Sequence, residues 1–233
     1  METTESTVVN KKAWQEAYEV ILEKILNLDI KPGEAVTEIA LSEQFGIGRT
    51  PMREALKRLE QEGLIVTHNG RKRVYILTIN EIEEIFDLKG AIEGYVAKWA
   101  AQRGSDDDFA ELRIIQEEIK LFLSHRATES KEEDKWLEEW LELDRRLHDH
   151  LFKMANNKRA ESVVKNLNVQ WHRLKVGILA MEGRIDKTVA EHQQFVSAIV
   201  EKKADLAEKL MTEHLDNLKR ELVKLLRVYH YPA

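Results

Sequence analysis

The chain has 233 residues, which is long enough for two compact domains, and a third of them are charged. It contains no cysteine, which excludes a disulfide framework or thiolate metal site and fits a reducing cytoplasm, and its net charge of −6 argues against a general nucleic-acid coating protein. No apolar run approaches the roughly 20 residues that span a bilayer, and the N-terminus does not resemble a signal peptide, so we expect a cytoplasmic protein that does not enter a membrane.

The first predicted elements are two helices that precede a glycine turn. After a tail of residues 1–9, an amphipathic pattern predicts a helix from Trp14 to Leu28. A shorter helix is predicted from Thr37 to Phe45, and the glycine that follows it is typical of a helix end. Residues 46–48, Gly-Ile-Gly, then form the turn of a predicted helix-turn-helix.

The next predicted helix has the features of a DNA-recognition helix. We expect the Thr50 hydroxyl to cap it, and Pro51 suits the first helical position, where no N–H is needed. Apolar residues recur at helical spacing: Met52, Ala55, Leu56 and Leu59. Arg49 and Arg53 project from the N-terminal end, which is the end that a recognition helix points into the major groove.

Two β-rich runs, residues 64–68 and 73–77, predict a hairpin. Asn69-Gly70 lies between them and is a strong signal for a two-residue turn. The basic residues Arg71–Arg73 suit this hairpin for contact with a phosphate backbone or minor groove. The alternative is a small helical domain with a solvated basic face. The order of helix, turn, basic helix and basic hairpin favours DNA binding.

Residues 10–78 resemble the GntR family of bacterial winged-helix transcription regulators. The resemblance is carried by Lys31-Pro32-Gly33-Glu34, Leu41-Ser42-Glu43-Gln44-Phe45-Gly46 and Arg49-Thr50-Pro51-Met52-Arg53-Glu54-Ala55-Leu56. It implies that Arg49, Thr50 and Arg53 contact DNA and that Gly70 lies at the tip of the wing, with Arg71 beside it. The chain departs from the family pattern at Gly48, where a serine or a similar polar residue is usual.

Residues 79–233 are predicted to form an all-helical bundle. Apolar residues keep a helical spacing almost throughout, and no proline occurs between Met52 and Tyr231. Polar and glycine-containing breaks divide the segment into six or seven helices, enough to enclose a cavity. The predicted fold class is therefore mainly α, with an N-terminal winged helix-turn-helix (including a small β-hairpin wing) and a C-terminal all-α bundle.

Four side chains of the bundle form a candidate metal site. Asp144 and His148 are four residues apart on one predicted helix and leave the same face. His192 and His214 lie at equal distances from residue 203, so an antiparallel pairing of their helices sets them at the same level. Such a set could bind a divalent cation with positions open for water or a ligand. The residues alone leave two alternatives open: a surface contact for Asp144 and His148, and a core histidine for His192.

Two motifs around these residues resemble the FCD effector domain of the FadR-type GntR regulators. The motifs are Leu143-Asp144-Arg145-Arg146-Leu147-His148 and Glu191-His192-Gln193-Gln194-Phe195, with His214-Leu215 closing the second. In metal-containing members an aspartate and three histidines bind a divalent ion, and a small carboxylic acid often completes the coordination. Asp144, His148, His192 and His214 match those positions. The imidazole content favours zinc or nickel over manganese.

Lys89 and Arg173 are weaker candidates for contact with that effector. Lys89 stands where many members of the family have an arginine, so a bidentate carboxylate clamp becomes a point charge. Arg173 lies near Trp171 in a helix that we expect to line the cavity.

We expect a DNA-binding transcription regulator, and a repressor rather than an activator. The resemblance implies a homodimer on a palindromic double-stranded operator, modulated by a small organic acid at the metal. The alternative is a metal-dependent hydrolase, because His148-Asp149 is an HD dipeptide like those of helical phosphohydrolases. That alternative needs a further upstream histidine, a downstream aspartate and a general base near the metal. It also leaves the winged helix without a role.

Overall fold

The computed structural model describes residues 2–128, 132–179 and 183–228 of the chain. It separates into two compact units, residues 1–77 and residues 78–233. Within the described residues there are nine helices and one two-stranded antiparallel sheet. The predicted fold class, a winged helix-turn-helix followed by an all-helical bundle, is confirmed. No helix in these ranges is long and apolar enough to cross a membrane.

The first unit opens with α1 (Glu2–Leu26) and α2 (Glu38–Phe45). Helix α1 begins well before the predicted Trp14, because no glycine or proline interrupts the preceding chain. Thr37, predicted as the first residue of this helix, is its N-cap instead, since its hydroxyl accepts a hydrogen bond from the Ala40 amide at 3.2 Å. Gly46 ends α2 in the left-handed conformation, with a φ of 67°.

Helix α3 (Arg49–Gln61) begins earlier than the sequence predicted. Gly48 occupies its N-cap and no side chain caps the helix, so the predicted Thr50 cap is wrong. Pro51 is still tolerated, because the amides of the first helical turn have no partner within the helix. The predicted apolar stripe is confirmed, since all four of its side chains are fully buried: Met52, Ala55, Leu56 and Leu59.

The hairpin consists of β1 (Ile65–His68) and β2 (Arg71–Val74), which pair antiparallel. His68 lies opposite Arg71, so Asn69 and Gly70 alone make the turn, as predicted. Both have positive φ angles, 50° and 71°, as a two-residue turn of the type I′ class requires.

The second unit contains six described helices: α4 (Ile79–Arg103), α5 (Asp106–Thr128), α6 (Glu133–Ala155), α7 (Lys158–Leu179), α8 (Arg184–Val200) and α9 (Ala204–Val228). The six described helices agree with the six or seven that the breaks in the sequence predict. Thr78 and Glu81 form a capping box at the start of α4. Helices α8 and α9 make a hairpin around the short turn at residues 201–203, as the pairing about residue 203 predicts.

Helix α4 packs closely along α9, and a glycine permits this approach. A Cβ atom at Gly94 would lie 2.6 Å from the Thr212 hydroxyl oxygen of α9. The core of this unit includes the buried rings of Phe86, Trp140 and Phe195. Because α4, α6, α7, α8 and α9 enclose the same interior, side chains from distant parts of the sequence meet there.

Candidate metal centre and DNA-binding surface

Three of the predicted metal ligands converge inside the second unit. Asp144 and His148 lie on α6 and His192 lies on α8, and one potential ligand atom from each lies within 4.8 Å of the other two. Asp144 Oδ1 is 2.9 Å from His192 Nε2 and 3.6 Å from His148 Nε2. Two ligand atoms bound to the same zinc-like ion at about 2.1 Å lie roughly 3–3.5 Å apart, so these separations fit shared coordination.

The proton positions on His192 follow from its surroundings. Its Nδ1 lies 2.8 Å from the Thr188 carbonyl oxygen, which can only accept, so Nδ1 carries the proton. Burial lowers the pKa of His192 to about 4, although Asp144 opposes the shift, so the ring is neutral at pH 7. The Nε2 lone pair therefore faces the Asp144 carboxylate. Two acceptors in contact repel each other unless a cation lies between them.

The other two histidines are held in the same way. His148 Nδ1 lies 3.2 Å from a Glu93 carboxylate oxygen, and His214 Nδ1 lies 2.7 Å from a Glu191 carboxylate oxygen. A carboxylate accepts from the Nδ1–H group and leaves Nε2 free to bind a metal. Asn217 donates a hydrogen bond of 3.0 Å to Glu191 and fixes that acceptor in turn.

His214 lies beside His192, as the symmetry about residue 203 predicts. Their ring centroids are 4.7 Å apart, and both side chains are buried. The His214 nitrogens nevertheless lie outside the compact group formed by Asp144, His148 and His192. The structure thus brings three of the predicted ligands together and leaves the fourth adjacent.

Two lysines neutralise the acidic groups of the site. The Lys175 ammonium of α7 pairs with Asp144 Oδ2, the oxygen opposite the histidines. Burial opposes the charge on Asp144, but the Lys175 ammonium outweighs it and holds the pKa of this carboxyl well below the ordinary value. Burial likewise opposes the charge on Glu93, but Lys89 and His148 lower the pKa of this carboxyl to about 2.

A cavity of about 730 Å³ adjoins the three converging side chains. Lys89, Trp171 and Lys175 contribute to its wall, and its size suits a small organic molecule. Lys89 lies at the cavity as expected, but it is 3% exposed, and Glu93 and Asn168 both accept hydrogen bonds from its ammonium. The side chain of Arg173 lies outside the described part of the structure, so its predicted effector contact stays a prediction.

The sequence patterns did not single out Lys175, Glu93 or Glu191. Lys175 reaches Asp144 through the packing of α7, and nothing in the local spacing encodes that register. The other two left a weak signal. Glu93 follows Lys89 by four residues, the spacing of a helical ion pair, and Glu191 directly precedes a predicted ligand.

The candidate DNA-binding residues lie at the surface of the first unit. Arg49, Thr50 and Arg53 are exposed on α3, and Gly70 and Arg71 are exposed at the end of the hairpin. Among these, Arg53 has an ion partner, with its Nε 3.6 Å from a Glu38 carboxylate oxygen.

The other two basic residues of the wing are engaged within the unit. The Lys72 ammonium pairs with the Glu60 carboxylate, and Arg73 donates a hydrogen bond of 2.8 Å to the Gly33 carbonyl. Among the side chains that the structure describes in this unit, none forms a hydrogen bond or ion pair with Arg71. The hairpin therefore presents less free positive charge than its sequence suggested, with Arg71 the most available cation.

Models of two protein families match the chain. Residues 14–74 match the bacterial regulatory proteins of the gntR family, and residues 84–217 match the FCD domain. The chain belongs to the GntR family of bacterial regulators that carry an FCD domain. The family resemblance seen in the sequence is thereby confirmed for both units.

Curated relatives are also regulators. The HTH-type transcriptional repressor RspR of Escherichia coli K12 is 27% identical over 205 residues, covering 88% of this chain and 86% of that protein. The gluconate operon transcriptional repressor of Bacillus licheniformis is 23% identical over 209 residues, covering 87% and 82%. These proteins and the family are transcription regulators and not enzymes, so the hydrolase alternative is wrong.

The same fold occurs in a solved structure, that of Escherichia coli McbR/YncC. The two structures align with a TM-score of 0.70 and 16% sequence identity, covering 91% of this chain and 98% of the other. At this identity the likeness establishes the fold.

Proposed function

We propose that this GntR-family regulator reads an operator through α3 and the hairpin and responds to a small organic acid bound at a divalent metal. Asp144, His148, His192 and His214 would hold the ion. One observation carries the metal assignment: each of the three imidazoles has a hydrogen-bond acceptor at Nδ1, the arrangement that turns Nε2 towards a metal ion. When bound, the ion supplies a positive centre on which a carboxylate can coordinate, and the imidazole content favours zinc or nickel.

The DNA part of the proposal rests on exposed groups of the first unit. Arg49 and Arg53 lie near the N-terminal end of α3 and can reach base edges in the major groove. Arg71 lies at the hairpin and can reach the backbone. A single recognition helix reads only a few base pairs, so we propose a homodimer on a palindromic operator. The names of two relatives favour repression, and we propose that the protein acts in the bacterial cytoplasm, where its operator lies.

The proposed switch has a thermodynamic condition. The acid must bind the DNA-competent and DNA-incompetent dimers with different affinities, or it cannot change operator occupancy. The candidate ligands lie on α6, α8 and α9, so a shift of the ligand side chains would move three helices of the bundle.

The test combines native mass spectrometry with fluorescence anisotropy. Native mass spectrometry of protein purified without added metal reports the bound metal, any co-purified acid and the oligomeric state. Anisotropy with duplexes from the region upstream of its own gene measures specific binding against scrambled duplexes. We expect a metal-loaded dimer that prefers a palindromic duplex. A monomer that binds a half-site tightly would contradict the dimer, and a protein that takes up no zinc when it is added would contradict the metal centre.

A further inference from the structure

Lys175 occupies an unusual place beside the candidate metal centre. Its ammonium pairs with Oδ2 of Asp144, while Oδ1 of the same carboxylate faces His192 and His148. Asp144 is buried and the Lys175 side chain is 25% exposed, at the cavity wall. The lysine is therefore the movable member of the pair, because a flexible four-carbon chain with partial access to solvent can leave a fixed carboxylate.

Two ion pairs beside the candidate ligands balance their charges without a metal. Lys175 neutralises Asp144, and Lys89 neutralises Glu93, so these two pairs carry no net charge together. A divalent cation that binds at Oδ1 of Asp144 would share that carboxylate with the ammonium at Oδ2. In such a partly buried site, two like charges on one carboxylate repel strongly. The ion and these two ion pairs would together carry an excess of two positive charges.

We propose that Lys175 is a tethered competitor of the metal ion, and that the metal releases it to bind an anionic group of the effector. This inference rests on the proposed metal centre. It specifies the effector class as a small dianionic acid, such as a dicarboxylate, whose two charges match the two positive charges that a divalent ion adds to these ion pairs. One carboxylate would bind the metal, and Lys175 would bind the second anionic group.

Lys165 supplies a matched control for Lys175. It also lies on α7 and at the cavity wall, but its ammonium pairs with Glu161 of its own helix at 2.7 Å and with Asp149 at 3.4 Å. Replacing Lys165 by methionine therefore makes the same chemical change in the same cavity without touching Asp144.

The first test is zinc affinity, measured with zinc chloride alone in competition with a chelator. Lys175→Met removes the competitor, so zinc should bind about tenfold more tightly or better than to the wild type. Lys165→Met should not change the affinity, and Lys175→Arg, which keeps the charge, should stay near the wild type. Equal zinc affinity in Lys175→Met and the wild type would overturn the competition.

A second measurement follows the lysine itself and does not need a variant that folds. Lysines of the wild-type protein are acetylated briefly with and without zinc, and modification is quantified by mass spectrometry. Lys175 should become several times more reactive with zinc, because a free amine reacts faster than one held in an ion pair, while Lys165 stays unchanged. No change at Lys175 in zinc-loaded protein would overturn its release.

The third test uses butyrate and succinate, which share a four-carbon chain and differ by one carboxylate. Zinc-loaded wild-type protein should bind succinate about tenfold more tightly, and Lys175→Met should lose that preference. A preference that survives in the variant, or no binding of succinate, would overturn the dianion assignment. If zinc fails to bind the wild type, both the proposed metal centre and this inference are contradicted. If zinc affinity depends on Asp144 but not on Lys175, the metal centre stands and only the inference about Lys175 is overturned.

Discussion

At the scale of single residues, the histidine side chains carry the most information. The sequence proposed three imidazoles as candidate ligands, because their spacing on α6 and about the α8–α9 turn is a local property of the chain, and the structure brings two of them, His148 and His192, together with Asp144. It could not predict which nitrogen of each ring is free. That depends on Thr188, Glu93 and Glu191, of which only Thr188 and Glu191 lie near a predicted ligand in sequence.

Glu191→Gln tests the role of the carboxylate behind His214. The amide oxygen can still accept the Nδ1–H hydrogen bond, but the negative charge that makes the imidazole a better ligand is lost. We expect zinc affinity to fall about tenfold or more while the fold is kept, because such supporting partners contribute about 10–100-fold to metal affinity. Chelator competition measures the change. Glu213→Gln, an exposed position on α9, is the control, and an equal loss there would contradict this role.

The buried His192 predicts a pH dependence of the metal-free protein. The unfolded chain takes up a proton near pH 6.5, but the folded protein takes it up only near pH 4. The neutral His192 therefore stabilises the folded protein fully above pH 6.5, and this stabilisation is lost as the pH falls from 6.5 to about 4. Between pH 7 and pH 5 the free energy of unfolding should drop by about 2 kcal/mol from this residue.

Urea unfolding in the presence of a chelator measures this dependence. His192→Gln should show a flatter profile over the same pH range, since the substituted side chain does not titrate. A profile that is as steep in the variant as in the wild type would assign the acid sensitivity to other groups.

At the scale of helices and strands, the sequence predicted the elements of the first unit but not all of their ends: α1 begins at Glu2 rather than Trp14, and β2 covers residues 71–74 rather than 73–77. Glycine, asparagine and charged runs mark chain breaks locally, so Gly46 and Asn69-Gly70 were sufficient to place a turn and a hairpin. The sequence placed the start of α3 too late, because threonine is a preferred N-cap residue and Thr50 precedes a proline. The structure gives that position to Gly48. Capping preference is weak compared with the geometry that the preceding turn imposes.

Close packing between α4 and α9 predicts opposite outcomes at two neighbouring glycines. A Cβ atom at Gly94 would meet the Thr212 hydroxyl at 2.6 Å, whereas one at Gly90 meets only the Thr212 methyl at 3.9 Å. Gly94→Ala should therefore destabilise the protein by about 1–3 kcal/mol through overpacking. Gly90→Ala should be neutral or stabilise it by about 0.5–1 kcal/mol, because alanine favours helix. Thermal unfolding distinguishes them, and equal effects at both sites would contradict this account of the contact.

The basic residues of α3 and the hairpin should divide by what they contact. Arg49→Ala and Arg53→Ala should each cost about 1–3 kcal/mol of specific binding if these side chains pair with guanine edges. Arg71→Ala should weaken matched and scrambled duplexes alike and reduce the salt dependence of binding. Lys72→Ala should have a smaller effect on DNA binding, because Lys72 is already paired with Glu60.

Anisotropy titrations at several salt concentrations separate these classes. If the α3 and hairpin variants behaved alike on matched and scrambled sites, the assigned roles would be wrong.

At the scale of the whole molecule, the sequence predicted two units because their patterns differ. A basic helix-turn-helix with a hairpin precedes a long segment of helical periodicity, and the structure divides the chain into residues 1–77 and 78–233. Contacts between distant helices could not be predicted in the same way. Lys175 and Asp144 are 31 residues apart, and their pairing depends on how α6 and α7 pack.

The separation of the two units makes the proposed switch testable without altering the DNA-binding residues. His192→Ala removes a predicted metal ligand that lies wholly in the second unit, so basal operator affinity should stay within about threefold of the wild type while the response to acid and metal is lost. Chelation of the wild-type protein should have the same effect, and added zinc should restore the response. The measurement is operator binding by anisotropy during a succinate titration, before chelation, after it and after zinc is returned. An unchanged succinate response in the metal-free protein would mean that the ion is structural. A response lost together with operator binding would instead mean that the metal holds the bundle in the conformation that the first unit needs to bind DNA.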